Sequence, residues 1–432
     1  MTRPTALAAP GCPASRASSP YVRTSPGPSD ARTTSTVSAR DSTWVDWLRL
    51  DGTFTDHRIG RLVDGAPGAA GPSPRPASLP YPGEMDSAPS LTHTALEIDE
   101  ALRRLKGLVH RTPLLHSRLI DERAGCRVWF KAECFQRSGS FKARGAFNAA
   151  LAGLEAGDRR GLVALSSGNH GQAVALAARE LGLPAVVVMP EGSSPVKVAA
   201  VRAYGAEVVI DGVTVLNRER IAADLATERD LRLLHPHDDV LVMAGQATVA
   251  EEVADQAREH DFTPQLVVVP VGGGGLLGGM ATSVRRRLPG CRVVGVEPAT
   301  GDDAAQSMRA GRLIALAEPP VTAADGVRTL HLGATCWEII REHADAIVTV
   351  TEAELAEALW WIWSRCKVVA EPTGALALAA VLSGSGGAEL WGDRSGSAGL
   401  TDIVCVISGG NCEPKQVAGL LGEYNLPPQE SA

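Results

Sequence analysis

No run of 18 or more apolar residues occurs in the sequence, so a membrane-spanning helix is not expected. The first twenty residues, MTRPTALAAPGCPASRASSP, are broken by Pro and Ser before the continuous apolar stretch of a secretory signal can develop. Positive charge is not in excess. Lys plus Arg number 42 against 49 Asp plus Glu, and a net charge of −7 leaves no global field to hold a nucleic acid or an anionic membrane. The eight cysteines, Cys12, Cys126, Cys134, Cys291, Cys336, Cys366, Cys405 and Cys412, include no CxxC pair and no zinc-type quartet, so reduced thiols in a cytoplasmic protein are expected. Lysine is scarce: residues 106, 131, 142, 197, 367 and 415 are the six lysines, beside 36 arginines. No internal repeat of fixed period is present either.

What the chain does contain changes character near residue 95. Residues 1–84 hold 12 of the 28 prolines and no lysine, a composition expected to form a disordered, low-complexity leader. Beyond it, TALEIDEALRRLKGLV has helical apolar spacing and HRTPLLHS reads as an extended segment fixed by Pro113. The runs VWFKAECF, LVALSS, AVVVMP, EVVI, LLHP, QLVVVPV, RVVGVEP, AIVTV and IVCVIS read as strands. FKARGAFNAALAGL, HGQAVALAARELG, PVKVAAVRAYG, VAEEVADQAREH, LLGGMATSVRRRL, EAELAEALWWIWSR and GALALAAVL read as helices between them. Strands without polar alternation, each followed by a helix, predict α/β architecture with parallel sheets covered on both faces. The roughly 335 residues past the leader exceed the ~250–300 of a single core, which predicts two domains with a ligand cleft between them.

Five clusters carry chemistry. In Ser138-Gly139-Ser140-Phe141-Lys142 a turn enters a helix; Ser140 is placed to cap it, and Lys142 in the first turn is either a nucleophilic amine of the kind a Schiff base needs or a solvated lysine, the first favoured by the scarcity of lysine elsewhere. Ser166-Ser167-Gly168-Asn169-His170 opens the next helix, with N–H groups and hydroxyls where a carboxylate binds; His170 itself is given no catalytic role. Gly272, Gly273, Gly274 and Gly275, followed by Leu276, let main-chain amides approach a phosphate. Gly273, Gly275 and Gly278 also satisfy GxGxxG, with Glu297 nineteen residues on, so a dinucleotide and a phosphorylated cofactor both remain open. The loop from Glu297 to Asp303 is either a hard-cation site or an acidic surface turn. Ser408 ends the strand IVCVI, at the sheet edge where α/β proteins bind ligands.

Together, SGSFKARGA, SSGNHGQA, VGGGGLLGG, EPTGALALAA and ISGGN resemble the fold-type II pyridoxal-phosphate enzymes, in particular the serine/threonine dehydratase and serine racemase family, over about residues 95–422. The resemblance implies a tryptophan synthase β-like fold with the leader at 1–84, a large cofactor domain in two parts at 85–163 and 242–432, and a small α/β domain at 164–241. It implies that Lys142 forms the Schiff base with pyridoxal 5'-phosphate and removes the α-proton, that Asn169 bonds the cofactor's ring oxygen, that 272–275 with Leu276 hold the phosphate, and that Ser408 partners the pyridine nitrogen. Ser167 matches the serine on the opposite substrate face in racemases. Ser166, Ser167, Asn169, His170 and Thr329 are implied substrate contacts. Glu297, the Gly301 carbonyl and Asp303 match a Mg²⁺ or other divalent-cation site, and a homodimer is implied.

The expected activity is α,β-elimination from L-threonine or L-serine, giving a 2-oxo acid and ammonia. Serine racemisation and 3-hydroxyaspartate deamination are the alternatives, while β-replacement and a non-catalytic binding role fit the motifs poorly. Thr329 and His331 depart from the racemase pattern, which leaves substrate choice open. With only a short stretch after ISGGN, an appended regulatory domain of the kind in biosynthetic threonine dehydratases is not expected.

Overall fold

The computed structural model describes residues 96–166, 168–391 and 399–426, all within the compact unit Met85–Ala432. The expected leader at 1–84 and the candidate residue Ser167 lie outside the described residues. Ten strands are present among those described: β1 (Leu114–His116), β2 (Arg127–Ala132), β3 (Leu162–Leu165), β4 (Ala185–Val188), β5 (Glu207–Val209), β6 (Arg232–Leu233), β7 (Leu266–Pro270), β8 (Arg292–Pro298), β9 (Ala346–Val350) and β10 (Asp402–Ile407). They form a six-stranded sheet in the order β1-β2-β10-β7-β8-β9 and a four-stranded sheet in the order β5-β4-β3-β6.

Every pairing is parallel except β1 with β2, where Leu115 lies opposite Phe130. β1 is therefore an antiparallel edge on an otherwise parallel sheet, and it lies within the extended segment expected at HRTPLLHS. The central strands β3, β4 and β7 are buried at every position, as parallel strands between helical layers must be. Successive side chains go to opposite faces: Leu266 and Val268 of β7 enter one core, Val267 and Val269 the other. Helix Pro372–Ser383 fills the first core, and helices Val240–Glu259, Gly275–Arg287 and Ala334–His343 the second. The smaller sheet divides its residues likewise, with Leu162 and Ala164 on one face and Val163 and Leu165 on the other.

Helix Val240–Glu259 starts nine residues before the expected VAEEVADQAREH, capped by Asp239, which accepts from the N–H groups of Leu241 at 2.7 Å and Val242 at 3.1 Å. Its first half is buried all round, so it carries no amphipathic period. Helices Arg118–Ala124, Arg218–Glu228, Asp303–Ala310 and Pro414–Glu423 were also not expected. The parallel strands end at a common edge of each sheet, and the segments leaving those ends are Ser166 after β3, His235 to Asp239 after β6, 271–275 after β7 and Ser408 after β10.

Candidate active site

Lys142 opens helix Lys142–Glu155, and the turn before it is sewn onto the end of β10. Ser140 forms an antiparallel bridge with Gly409, and Phe141 N–H donates to the Ser408 carbonyl at 3.1 Å. This arrangement corrects the capping expectation for Ser140. Its main chain is committed to the bridge, its hydroxyl is buried without a hydrogen-bond partner, and the helix has no side-chain cap. The Lys142 ammonium donates to the Pro236 carbonyl at 2.7 Å and lies 5.0 Å from the centroid of the Phe141 ring. Although the residue is partly exposed, its amine is enclosed by protein. Burial lowers its pKa to about 8, with Cys336 and Glu371 pulling the other way.

Two residues further on, Arg144 is fully buried and anchors this helix. Its guanidinium donates to both oxygens of Glu133 at 2.8 Å and to both of Glu252 at 2.7 and 2.9 Å. Lys131 completes the cluster, donating to Glu252 at 2.6 Å and to the Thr112 carbonyl at 2.8 Å. Buried charges persist only when paired and hydrogen-bonded in this manner.

After β3, the Gly168 N–H donates to Ser166 Oγ at 3.0 Å and helix Asn169–Leu181 begins. Its first N–H groups, those of Asn169, His170 and Gly171, have no intrahelical acceptor and form an anion-binding end. Asn169 Nδ2 donates to Glu371 at 2.7 Å, and its Oδ1 accepts from Asn411 Nδ2 at 2.8 Å. Burial pushes Glu371 up to about 7. His170 turns its imidazole onto the Leu234 carbonyl at 2.9 Å, and burial lowers it to about 3. Its other ring nitrogen, Nδ1, is buried without a hydrogen-bond partner among the described residues.

The glycine loop is held from both sides: Val271 N–H donates to Val296 at 2.9 Å, and the Gly273 carbonyl accepts from Gly333 N–H at 3.0 Å. Gly274 has φ +95°, a conformation that side chains disfavour, and a Cβ there would lie 2.8 Å from Ile340 Cδ1. At Gly272 an added Cβ would meet Val327 Cα at 3.0 Å. Ser408 Oγ and Thr329 Oγ1 are buried hydroxyls without protein partners.

Glu297 and Asp303 are only 1% and 2% exposed, which removes the acidic-surface-turn alternative. Both Glu297 oxygens accept main-chain N–H groups of helix Asp303–Ala310, from Ala304 at 3.2 Å and Ala305 at 2.9 Å. Asp303 Oδ2 is buried without a partner. Burial and the neighbouring Asp303 carboxylate raise Glu297, and burial raises Asp303 to about 7. No third His, Cys, Asp or Glu joins them among the described residues.

Glu371 and Asn411 lie within the motifs EPTGALALAA and ISGGN but had no role assigned from sequence. Arg218 was missed altogether. It begins helix Arg218–Glu228, which packs across β3, and its Nε is buried with no hydrogen-bond partner. Near Glu371, Lys197 pairs with Asp325, and Ser194 Oγ donates to Glu413.

This geometry has close counterparts. A family model described as "Pyridoxal-phosphate dependent enzyme" matches residues 105–409. An L-threo-3-hydroxyaspartate ammonia-lyase of Saccharomyces cerevisiae is 41% identical over 325 residues, covering 75% of this chain and 95% of that protein. A serine racemase of Arabidopsis thaliana is 40% identical over 320 residues, covering 74% of this chain and 93% of the relative. The crystal structure of a T.th. threonine deaminase superposes with a TM-score of 0.68 at 50% identity, over 73% of this chain and 97% of that one. The dinucleotide reading of the glycine loop thereby falls, with Glu297 already bound to a helix start instead of facing a ribose. Matched across most of its length and nearly end to end with each relative, the chain belongs to the pyridoxal-phosphate dependent enzyme family, in its fold-type II branch.

Proposed function

We propose that this enzyme is an ammonia-lyase that deaminates a β-hydroxy amino acid, L-threonine or L-serine, to a 2-oxo acid and ammonia. The observation that carries the proposal is the enclosed Lys142 amine. It is tied through Pro236 O to the residue preceding His237, which rests on Gly273, and through Phe141 to Ser408. The residues present fit pyridoxal phosphate: a glycine cradle with no room for Cβ atoms, an orphaned buried hydroxyl at Ser408, and an amine whose one hydrogen-bond acceptor is a main-chain carbonyl. When bound, the cofactor supplies an aldehyde for amines and an electron-poor ring that stabilises negative charge at the substrate α-carbon.

The chain's own residues do the rest. Lys142 Nζ holds the cofactor and, being largely neutral above pH 8, takes the α-proton as a general base. Asn169, fixed by Glu371 and Asn411, presents its remaining amide hydrogen to the ring oxygen. Ser408 offers the pyridine nitrogen a neutral hydroxyl in place of a carboxylate. The N–H groups heading helix Asn169–Leu181, with Ser166 and Thr329, receive the substrate carboxylate and side chain.

A second reading, L-threo-3-hydroxyaspartate as substrate, is favoured by Arg218. A half-buried arginine whose Nε is buried without a hydrogen-bond partner suits a substrate that brings a second anion, and the Saccharomyces cerevisiae relative is named for that amino acid. Serine racemisation through Ser167 accompanies the racemase relatives. Mg²⁺ fits the orphaned Asp303 oxygen beside Glu297, with the Gly301 carbonyl as a third ligand. The four-stranded sheet and its helices form the small domain at 164–241, whose first strand starts at Leu162, and the six-stranded sheet forms the large one. No helix among the described residues is long and apolar enough to cross a membrane. We also propose a homodimer and, from the scattered cysteines with no pair or zinc spacing, a cytoplasmic location.

Incubating the holoenzyme with threonine, serine and 3-hydroxyaspartate, with and without Mg²⁺, tests these readings together. Release of 2-oxo acid supports the lyase and ranks its substrates. Without 2-oxo acid from any of the three, the proposal is wrong. Chiral chromatography of serine, with Ser167→Ala as control, decides racemisation.

A further inference from the structure

The turn after β6 is pinned residue by residue. His235 Nδ1 accepts the Asp238 N–H at 2.8 Å, Pro236 O accepts from Lys142 at 2.7 Å, and the His237 carbonyl accepts from Cys336 Sγ at 3.3 Å. The Asp238 carboxylate holds the start of helix Ala334–His343, accepting from Thr335 N–H at 2.9 Å and Ala334 N–H at 3.1 Å. The His237 imidazole is thereby fixed against the glycine loop. A methyl group at Gly273 would collide with its Nδ1, Cγ and Cε1, and one at Gly275 would lie 3.1 Å from His237 Cα. The ring meets His235 edge-on at 4.6 Å, yet neither of its nitrogens has a hydrogen-bond partner among the described residues.

An unpartnered ring N–H beside a row of main-chain amides is a donor suited to an anionic oxygen. Burial first, and then the neighbouring His235 and Lys142, hold the ring well below the ordinary imidazole range, so it stays neutral and adds a directional hydrogen bond without a second cation beside Lys142. We propose that His237 donates an imidazole N–H to the phosphate group of pyridoxal phosphate, adding a side-chain ligand to the main-chain cradle at 272–276. The proposal rests on the assignment of that loop to the phosphate.

Apoprotein of the full chain, as wild type, His237→Phe and His237→Asn, is titrated with pyridoxal phosphate and with pyridoxal, which lacks the phosphate, and ³¹P NMR is recorded on each loaded protein. His237→Phe is expected to weaken pyridoxal phosphate binding tenfold or more, to leave pyridoxal binding unchanged and to shift the ³¹P resonance. His237→Asn, which keeps a donor, is expected to recover part of the loss. Equal affinity for pyridoxal phosphate in all three proteins overturns the proposal. So does an equal loss for both aldehydes, which marks a packing role, or an unmoved ³¹P resonance. A wild type that binds neither aldehyde overturns the reading of the whole site, whereas normal wild-type binding with no loss in His237→Phe overturns only the role of His237.

Discussion

Asn169 and Glu371, 202 residues apart in the chain, meet in a 2.7 Å hydrogen bond in which the amide nitrogen donates to the carboxylate. With Asn411 donating to the other end of the same amide, the orientation of Asn169 is fixed by its partners. Neither bond is local, so the site exists only once the end of β3 and the end of β10 have been brought together.

Glu371 titrates out of step with an ordinary carboxyl, because burial raises it from 4.5 to about 7. A raised folded pKa gives stability that is complete below pH 4.5 and is lost as pH climbs to 7, roughly 3 kcal/mol in all for this carboxyl. Glu371→Gln keeps an acceptor for Asn169 without that loss. Urea denaturation of the apoprotein at pH 5 and pH 8 is expected to show the variant gaining on wild type at the higher pH. Parallel stabilities at the two values contradict the assignment.

Lys142 titrates from the opposite direction. Its lowered pKa of about 8 means that the neutral, nucleophilic amine appears two units below an ordinary lysine, near ~10.4. The rate at which apoprotein captures pyridoxal phosphate, read after borohydride fixation, is expected to rise with a midpoint near pH 8, and Lys142→Ala is expected to capture none. A midpoint near that of free lysine removes the buried-amine argument.

Arg144 holds the buried Glu133 and the partly buried Glu252, and truncating it strands Glu133. Arg144→Ala is expected to lower stability by about 3–5 kcal/mol. Arg144→Lys fares little better, since an ammonium cannot reproduce four bonds from one planar fork. Denaturant midpoints for the two variants check this; a loss under about 1 kcal/mol for the Ala variant shows that the cluster is not an anchor.

Gly274→Ala meets both a positive φ and the Ile340 side chain. The strain is expected to cost about 1–3 kcal/mol and to distort the loop enough to weaken pyridoxal phosphate binding at least tenfold. Fluorescence titration of the apoprotein measures it, and wild-type affinity in the variant removes the cradle from the phosphate's binding site.

Arg218→Gln separates the two substrate readings. Its kcat/KM for L-threo-3-hydroxyaspartate is expected to fall about a hundredfold, the ~3 kcal/mol of a charge-assisted pair, while that for threonine changes little. An equal fall for both substrates assigns Arg218 to the fold.

Much of this was legible in the sequence for a physical reason. Strands such as LVVVP and AVVV are apolar at every position because helices cover both faces, and the glycines and serines of the site sit directly after them. The residues that escaped notice lacked any local pattern. Glu371 meets Asn169, Arg144 meets Glu252 and Asn411 meets Ser138 across 108 to 273 residues. Arg218 begins a helix whose exposed face hides its amphipathic period, and His237 follows a strand only two residues long. Ser140 misled because a serine before a helix usually caps it, whereas here its main chain completes a bridge.

The polar contacts that link the two sheets' sides have a consequence for opening between them. Lys197 with Asp325 and Ser194 with Glu413 join the smaller sheet's side to the larger sheet's side through charge and hydroxyl. Parting them wets ions and a hydroxyl instead of hydrocarbon, so the step carries little heat-capacity change, and dissolved salt screens the attraction that opposes it. Stopped-flow entry of substrate is therefore expected to quicken as KCl rises while its activation heat capacity stays near zero, which makes ionic strength, more than warmth, the regulator of admission to Lys142.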